Sequence, residues 1–280
     1  MSTRRVIATV PLGAADGRLL VTDSYGQGAR SRRPVRLAGT ASGPIEDVAP
    51  TSRFFFNGRR RPRFEFEVQD AAKVTVELVD AAQSVLRTWG VEAVPGEPHR
   101  LQWNGRLGGR AAPSGTYTFR FAATAAGALR APGLAEPTFA FADHIFPIRG
   151  KHNLGFTRTN GFGGGRGHKG QDMFARCGTT LAAARGGRVQ YAGYHSAAGY
   201  YVVIDGAATG RDYVYMHLRR PALVEAGQRV FTGQKIGEVG ETGRATGCHL
   251  HFEMWSAPGW YEGGRAFDPL PALRRWDAAG

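Results

Sequence analysis

The sequence predicts an all-β fold for this chain of 280 residues. Apolar and polar residues alternate in many short runs, and successive side chains of a β-strand point to opposite faces of its sheet. The 40 glycines separate these runs and show no Gly-X-Y repeat, which excludes a collagen-like chain. A helical spacing of apolar residues never persists for more than a turn or two, so strands are predicted throughout.

Changes in composition divide the chain into four segments. Residues 1–50 are predicted to be a leader or a loosely ordered segment, because 26–50 is rich in Gly, Ser, Arg and Pro. Alternation begins near residue 51 and continues to about 124, which indicates a β-sandwich. Residues 125–143 are rich in Ala, Gly and Pro and are predicted to be a linker. A second dense domain is expected over 144–280.

The 51–124 segment contains clear strand patterns and one specific motif. Phe64, Phe66 and Val68 alternate with polar residues, and Trp103 and Tyr117 are expected to anchor the core. The run WNGRLGGRAAPSGTYTF, which begins at Trp103, resembles the Ig-like module of flagellar hook-capping proteins and of many bacterial surface proteins. That resemblance implies an Ig-like β-sandwich that acts as a spacer or a binding module without chemistry of its own.

The second domain is predicted to be an antiparallel β domain. Glycines separate its strand-like runs, which are predicted at 188–191, 200–205, 212–217, 235–239 and 249–255.

Three short motifs in the second domain carry histidines in patterns that suggest chemistry. His249 and His251 form an HxH pair, and on a strand both imidazoles would face the same side. His168 and Asp172 form an HxxxD pair among glycines, and a bend at Gly170 would bring them together and leave space for an ion.

The third histidine belongs to a separate strand pattern. His217 is expected on the same strand face as Tyr213 and Tyr215, because these residues alternate along one run. A histidine alone in such a place is usually a packed or surface residue, but its combination with the other two motifs suggests a shared site.

Together these motifs resemble the lysostaphin/LytM-type peptidoglycan metallopeptidases, family M23. The resemblance covers about 125 residues and rests on GHKGQDMFARCGTT, YVYMHL and GCHLHFEMW in that order. It implies one Zn²⁺ per chain, bound by His168, Asp172 and His251, with water as the fourth ligand. It also implies that His217 and His249 assist the chemistry without binding the metal.

The resemblance implies a zinc-dependent endopeptidase that cleaves cross-links or stem peptides of peptidoglycan. The alternatives are a non-catalytic envelope or activator protein with a vestigial zinc site, and a wall scaffold whose Ig-like module supplies the function. The five site residues are all present, which favours the enzyme. Glu253, two residues beyond His251 on the same strand face, is a candidate partner of that imidazole.

The two cysteines, Cys177 and Cys248, allow one disulfide or two free thiols. In the resemblance Cys177 follows the HxxxD motif and Cys248 precedes HxH, which implies that they are paired. A disulfide would fit a location outside the cytoplasm.

Charge and targeting signals bear on partners and location. The net charge of +13 is spread over both halves of the chain, which favours attraction to an anionic wall surface over specific binding of nucleic acid. The sequence has no run of about 20 apolar residues, so no transmembrane segment is predicted. The first residues lack a convincing signal peptide. An extracytoplasmic, secreted or cell-wall location is nevertheless expected, because it follows from the resemblance.

Overall fold

The computed structural model describes residues 20–22, 28–30, 52–68, 72–122, 129–130, 138–155, 157–165 and 167–279. In the predicted leader, β1 (Leu20–Thr22) and β2 (Gly28–Arg30) pair antiparallel, and the remainder of 1–50 lies outside the described residues. The described chain is nearly all β, as predicted. Within these ranges no helix has the length and apolar character needed to cross a membrane.

The first domain consists of two main sheets. The five-stranded sheet has the order β3-β12-β10-β5-β6, and the three-stranded sheet has the order β11-β4-β7. The strands of these sheets, with a small β8–β9 hairpin, are β3 (Arg53–Phe55), β4 (Arg63–Val68), β5 (Ala72–Asp80), β6 (Val85–Ala93), β7 (His99–Gln102), β8 (Arg106–Leu107), β9 (Arg110–Ala111), β10 (Gly115–Phe121), β11 (Leu129–Arg130) and β12 (Thr138–Ala142).

The predicted alternation in this domain matches its burial. Phe64 and Phe66 of β4 are buried, and Phe64 stacks on Phe119 of β10 with ring centroids 5.7 Å apart, so the two sheets share one core. Trp103 and Tyr117 are also in this core, as expected. The specific Ig-like identity of the module stays a prediction.

Part of the predicted linker belongs to the first domain. Strand β12 pairs antiparallel with β10 and parallel with β3, so residues 138–142 complete the five-stranded sheet. Phe139 and Phe141 project from β12 into its aromatic core, and their alternation with Thr138, Ala140 and Ala142 is the strand pattern that the composition of the segment obscures. Residues 123–128 and 131–137 lie outside the described residues.

The second domain is built on one antiparallel sheet. Its strand order is β13-β14-β21-β18-β17-β16-β19, with β22 paired to β21, and β15 and β20 form a separate pair. The strands are β13 (His152–Asn153), β14 (Gln171–Ala175), β15 (Thr180–Ala182), β16 (Gly187–His195), β17 (Gly199–Gly206), β18 (Arg211–Leu218), β19 (Arg229–Val230), β20 (Lys235–Glu238), β21 (His249–Ser256) and β22 (Ala266–Phe267). Four of the five predicted runs lie wholly in strands, and the fifth, 235–239, extends one residue beyond β20.

One helix, α1 (Leu270–Ala278), was not predicted. It is short, and its apolar stripe consists of Ala272, Leu273 and Trp276, which pack into the core of the second domain. Just before the helix, the Asp268 carboxylate accepts a hydrogen bond from the backbone N–H of Leu270 at 2.9 Å. Nine residues with three buried apolar positions are too few for a persistent helical period.

A buried arginine joins the two domains. Arg185 is fully buried, and its guanidinium lies 3.9 Å from the ring centroid of Phe56 in the first domain. It also donates to the backbone carbonyls of Asp143 and Ala207, which compensates for the loss of water around the charge. Thr232 donates its backbone N–H to the Asn57 carbonyl at 3.1 Å, so the contact also includes main-chain hydrogen bonds.

Candidate active site

The candidate site lies on one face of the large sheet, in the first half of β21. Leu250 and Phe252 point into the core beneath the sheet, so His249, His251 and Glu253 point to the opposite face. This alternation is what the HxH spacing predicts. Strand β14 pairs with β21 so that Asp172 lies opposite His251.

The HxxxD and HxH motifs meet at a single carboxylate oxygen. His168 Nε2 lies 3.1 Å from Asp172 Oδ1, and His251 Nδ1 lies 2.9 Å from the same oxygen. Ligand atoms of all three residues lie within 4.8 Å of one another, so a single metal ion could contact all of them. Two imidazoles and one carboxylate, with a fourth position open, form a donor set typical of catalytic zinc.

Hydrogen bonds on the far side of each imidazole orient these ligand atoms. His168 Nδ1 lies 2.9 Å from the Gly161 carbonyl oxygen, which can only accept, so Nδ1 carries a proton. Nε2, which faces Asp172, is therefore the nitrogen available to a metal. His251 Nε2 lies 3.0 Å from Glu253 Oε1, which leaves Nδ1 facing Asp172. The expected contact of Glu253 with His251 is therefore present.

Two indoles hold Glu253 in turn. Trp255 Nε1 donates to Glu253 Oε2 at 2.6 Å, and Trp260 Nε1 donates to the same oxygen at 3.3 Å. Sequence reasoning missed both tryptophans. Trp255 continues the alternation of β21 and could have been found from that spacing, whereas Trp260 reaches the site from the turn after the strand and has no comparable signal.

The electrostatics of the cluster follow from burial and from these contacts. Burial by itself raises the pKa of Asp172, but hydrogen bonds from His168 and His251 outweigh it and hold the pKa well below its usual range. Burial lowers the pKa of His251, yet hydrogen bonds to Asp172 and Glu253 raise the net pKa to about 9. The pocket therefore favours a positive charge, whether a proton or a cation, between the two carboxylates.

Gly170 has a different role from the one expected. A Cβ at this position would lie 2.4 Å from the Phe252 carbonyl oxygen and 2.8 Å from His251 Nε2. The missing side chain therefore lets the chain before β14 pass directly against β21 and the His251 ring. The expectation of space for an ion at Gly170 is corrected: the space is taken up by β21.

His217 reaches the site by breaking the alternation of β18. Tyr213 and Tyr215 lie in the core beneath the sheet, so the prediction that His217 shares their face is wrong. Its φ of +63° is in the left-handed region, which turns the side chain to the site face. There its ring centroid lies 4.7 Å from that of His249.

His217 and His249 present the same nitrogen to the site. His217 Nδ1 lies 2.7 Å from the Thr242 carbonyl, and His249 Nδ1 lies 2.8 Å from the Gly247 carbonyl. Since a carbonyl only accepts, each Nδ1 carries a proton, and in the neutral form of each ring Nε2 has the free lone pair. Burial lowers the pKa of His217 to about 4, despite its hydrogen bond to Thr242, so this ring is neutral at neutral pH.

Cys177 and Cys248 form a disulfide beside the site, as the resemblance implied. Their Cα atoms are 5.3 Å apart, and the bridge closes a sequence separation of 71 residues. It ties the segment after β14 to the residue directly before His249. Glu241 lies near both sulfurs, but a thiolate metal site there is excluded in this state because both sulfurs are in the disulfide.

Comparison with known proteins matches residues 166–269 to the model for peptidase family M23. The peptidoglycan DD-endopeptidase ShyC of Vibrio cholerae is 45% identical over 89 residues, which cover 31% of this chain and 20% of the relative. The L-Ala--D-Glu endopeptidase of Bacillus subtilis is 32% identical over 147 residues, which cover 48% of this chain and 44% of the relative. The chain therefore spans less than half the length of these curated relatives.

A solved structure is also similar. The catalytic domain of lysostaphin from Staphylococcus simulans is 31% identical, and the alignment covers 44% of this chain and 92% of that one with a TM-score of 0.38. The matched segment includes the HxxxD motif, the His217 strand and the HxH strand. Residues 166–269 therefore form a peptidase family M23 domain, and the similar proteins include members of the lysostaphin/LytM type.

Proposed function

We propose that this protein is a zinc-dependent endopeptidase that hydrolyses peptide bonds in bacterial peptidoglycan. The observation that carries the proposal is the convergence of His168, Asp172 and His251 on one point, with the imidazoles of His217 and His249 beside them. The names of the relatives add the substrate class, since ShyC acts on peptidoglycan. We further propose that the protein works outside the cytoplasm, where its disulfide would persist.

The donor set fits one zinc ion per chain. His168 Nε2, Asp172 Oδ1 and His251 Nδ1 would hold it, because the other nitrogen of each imidazole is already bonded. A bound zinc ion would polarise the scissile carbonyl and lower the pKa of its water to about 7. His217 and His249 lie outside this ligand set, and we assign them to proton transfer.

The free Nε2 atoms define what these two histidines can do. An unprotonated Nε2 takes a proton from the attacking water, and the resulting imidazolium returns it to the leaving amine. The Thr242 and Gly247 carbonyls hold both rings through Nδ1, so neither ring must reorient between the two steps. The low pKa of His217 favours its neutral, proton-accepting form.

Removal and return of the metal test this proposal. The purified protein should contain one zinc per chain and release amino groups from purified peptidoglycan. A chelator should abolish the release of amino groups, and added zinc should restore it. The reason is that activation of the attacking water would depend on the bound ion. Stoichiometric zinc without any release would instead support a non-catalytic envelope or activator protein.

Glu253 should matter for metal affinity. In Glu253→Gln the amide can keep its contact with the indoles only by turning a donor towards His251 Nε2, which disfavours a free Nδ1 on His251. We expect zinc affinity to fall by about 10- to 100-fold, measured by competition with a chromophoric chelator.

Glu225→Gln is the matched control, because Glu225 is an exposed glutamate outside the site. Its zinc affinity should equal that of the unmodified protein. Equal affinities for Glu253→Gln and Glu225→Gln would show that Glu253 does not orient His251.

A further inference from the structure

A groove of about 860 Å³ opens beside the candidate site, next to β13 and β14. Phe174 and Cys248 form part of its wall. The Phe174 ring centroid lies 5.6 Å from that of His249, and Cys248 directly precedes His249. The part of the groove at Phe174 and Cys248 therefore lies next to His249, one of the two histidines assigned to proton transfer.

Three cations line the groove: Arg149, Lys151 and Arg176. All three are exposed, and the groove lining includes no acidic residue. Within the described ranges no carboxylate lies within 4.0 Å of their side-chain nitrogens, whereas His152, also in the lining, is paired with Asp277 at 3.1 Å. The groove thus carries positive charge that the described part of the protein does not neutralise.

The main chain holds these cations at one end of the groove. His152 pairs with Ala175 in the β13–β14 register, so Lys151 and Arg176 leave the paired strands at the same end. Arg149 donates its backbone N–H to the Thr180 carbonyl at 2.9 Å. The disulfide at Cys177 fixes the residue after Arg176.

We infer that this groove binds a carboxylate on the peptide substrate, carried by a residue close to the bond that is cleaved. Guanidinium groups bind carboxylates with two parallel hydrogen bonds, and the ammonium of Lys151 adds a third donor group. A peptide is the favoured occupant because Phe174 in the groove wall packs against His249, beside which the reacting peptide bond is placed in the proposed function. This inference rests on the proposed function, and it selects anionic peptides over neutral ones.

Two matched peptides test the inference. They differ only in carrying a carboxylate or a carboxamide beside the scissile bond, and kcat and KM are measured for each with the full-length, zinc-loaded protein. We expect the acidic peptide to have the lower KM by about 5- to 25-fold, since each exposed ion pair contributes up to about fivefold. In Arg149→Gln/Arg176→Gln this preference should fall at least threefold, mainly through a higher KM for the acidic peptide.

The matched control is Arg188→Gln/Arg229→Gln, which removes the same charge from β16 and β19 at the opposite edge of the sheet. It should keep the full preference. Equal KM values for the two peptides with the unmodified protein would overturn the inference, as would an undiminished preference in Arg149→Gln/Arg176→Gln. The inference would also be overturned if Arg149→Gln/Arg176→Gln lost binding to an anionic phosphate polymer but kept its preference for the acidic peptide.

Direct binding separates this inference from the proposed function. Analogues N-methylated at the scissile bond resist cleavage, and their Kd values report on the groove alone. Tighter binding of the acidic analogue without cleavage of either parent peptide would support carboxylate binding in the groove and contradict the proposed hydrolysis. Cleavage of both peptides with equal Kd values for the analogues would support hydrolysis and contradict the groove assignment.

Discussion

Replacing His168, Asp172 or His251 with alanine should yield a folded protein without bound zinc and without measurable hydrolysis of peptidoglycan. Each change removes one of three donor atoms that converge within 4.8 Å. The remaining pair would leave the ion with too few protein ligands for a stable tetrahedral site. Metal analysis of each purified variant, together with amino-group release, measures both losses.

A control histidine makes this result specific. His195 is exposed and lies outside the site, so His195→Ala should retain zinc and activity. Circular dichroism should show that all four variants keep the β fold. A His251→Ala protein that lacks metal yet hydrolyses peptidoglycan at the full rate would contradict the assignment of His251 as a metal ligand.

The second large effect is expected at the two histidines outside the ligand set. His217→Ala and His249→Ala should each retain one zinc per chain and lose about 10²- to 10⁴-fold in kcat, the usual contribution of general acid–base help. The reason is that each substitution removes a free Nε2 without touching His168, Asp172 or His251. Zinc content and single-turnover rates, measured on the same samples, separate the two properties.

This prediction has a clear contrary outcome. If either variant kept its fold but purified without zinc, the lost histidine would be a metal ligand. His249 is the more informative of the two, because its Nε2 lies only 3.7 Å from Asp172 Oδ1. An unchanged kcat in both variants would show that neither His217 nor His249 takes part in proton transfer.

Much of the site was predictable because strand alternation is a local property. On β21 the period of two places His249 and His251 on one face, and Leu250 in the core, without any tertiary information. The meeting of Asp172 with His251 depends on the β14–β21 register, which spans 79 residues of sequence. That contact followed from the family resemblance and not from spacing.

The features missed by sequence reasoning depend on backbone geometry or on long-range contacts. The positive φ of His217 turns its side chain to the site face of the sheet, whereas alternation with the preceding tyrosines predicts the core face. Gly170 was recognised as special, yet the close approach of Phe252 that requires a glycine is a tertiary contact. Residues 138–142 pair with two strands that precede them in sequence, so their composition alone could not place them in the sheet.

The chemical nature of the bond that is cleaved tests the central claim most directly. Purified peptidoglycan is digested with the zinc-loaded protein, and new amino groups and new reducing sugar ends are counted in the same digest. An endopeptidase built on His168, Asp172 and His251 should release amino groups without reducing ends, and Asp172→Ala should release neither. Reducing ends without amino groups, or no product from a fully zinc-loaded protein, would contradict the account.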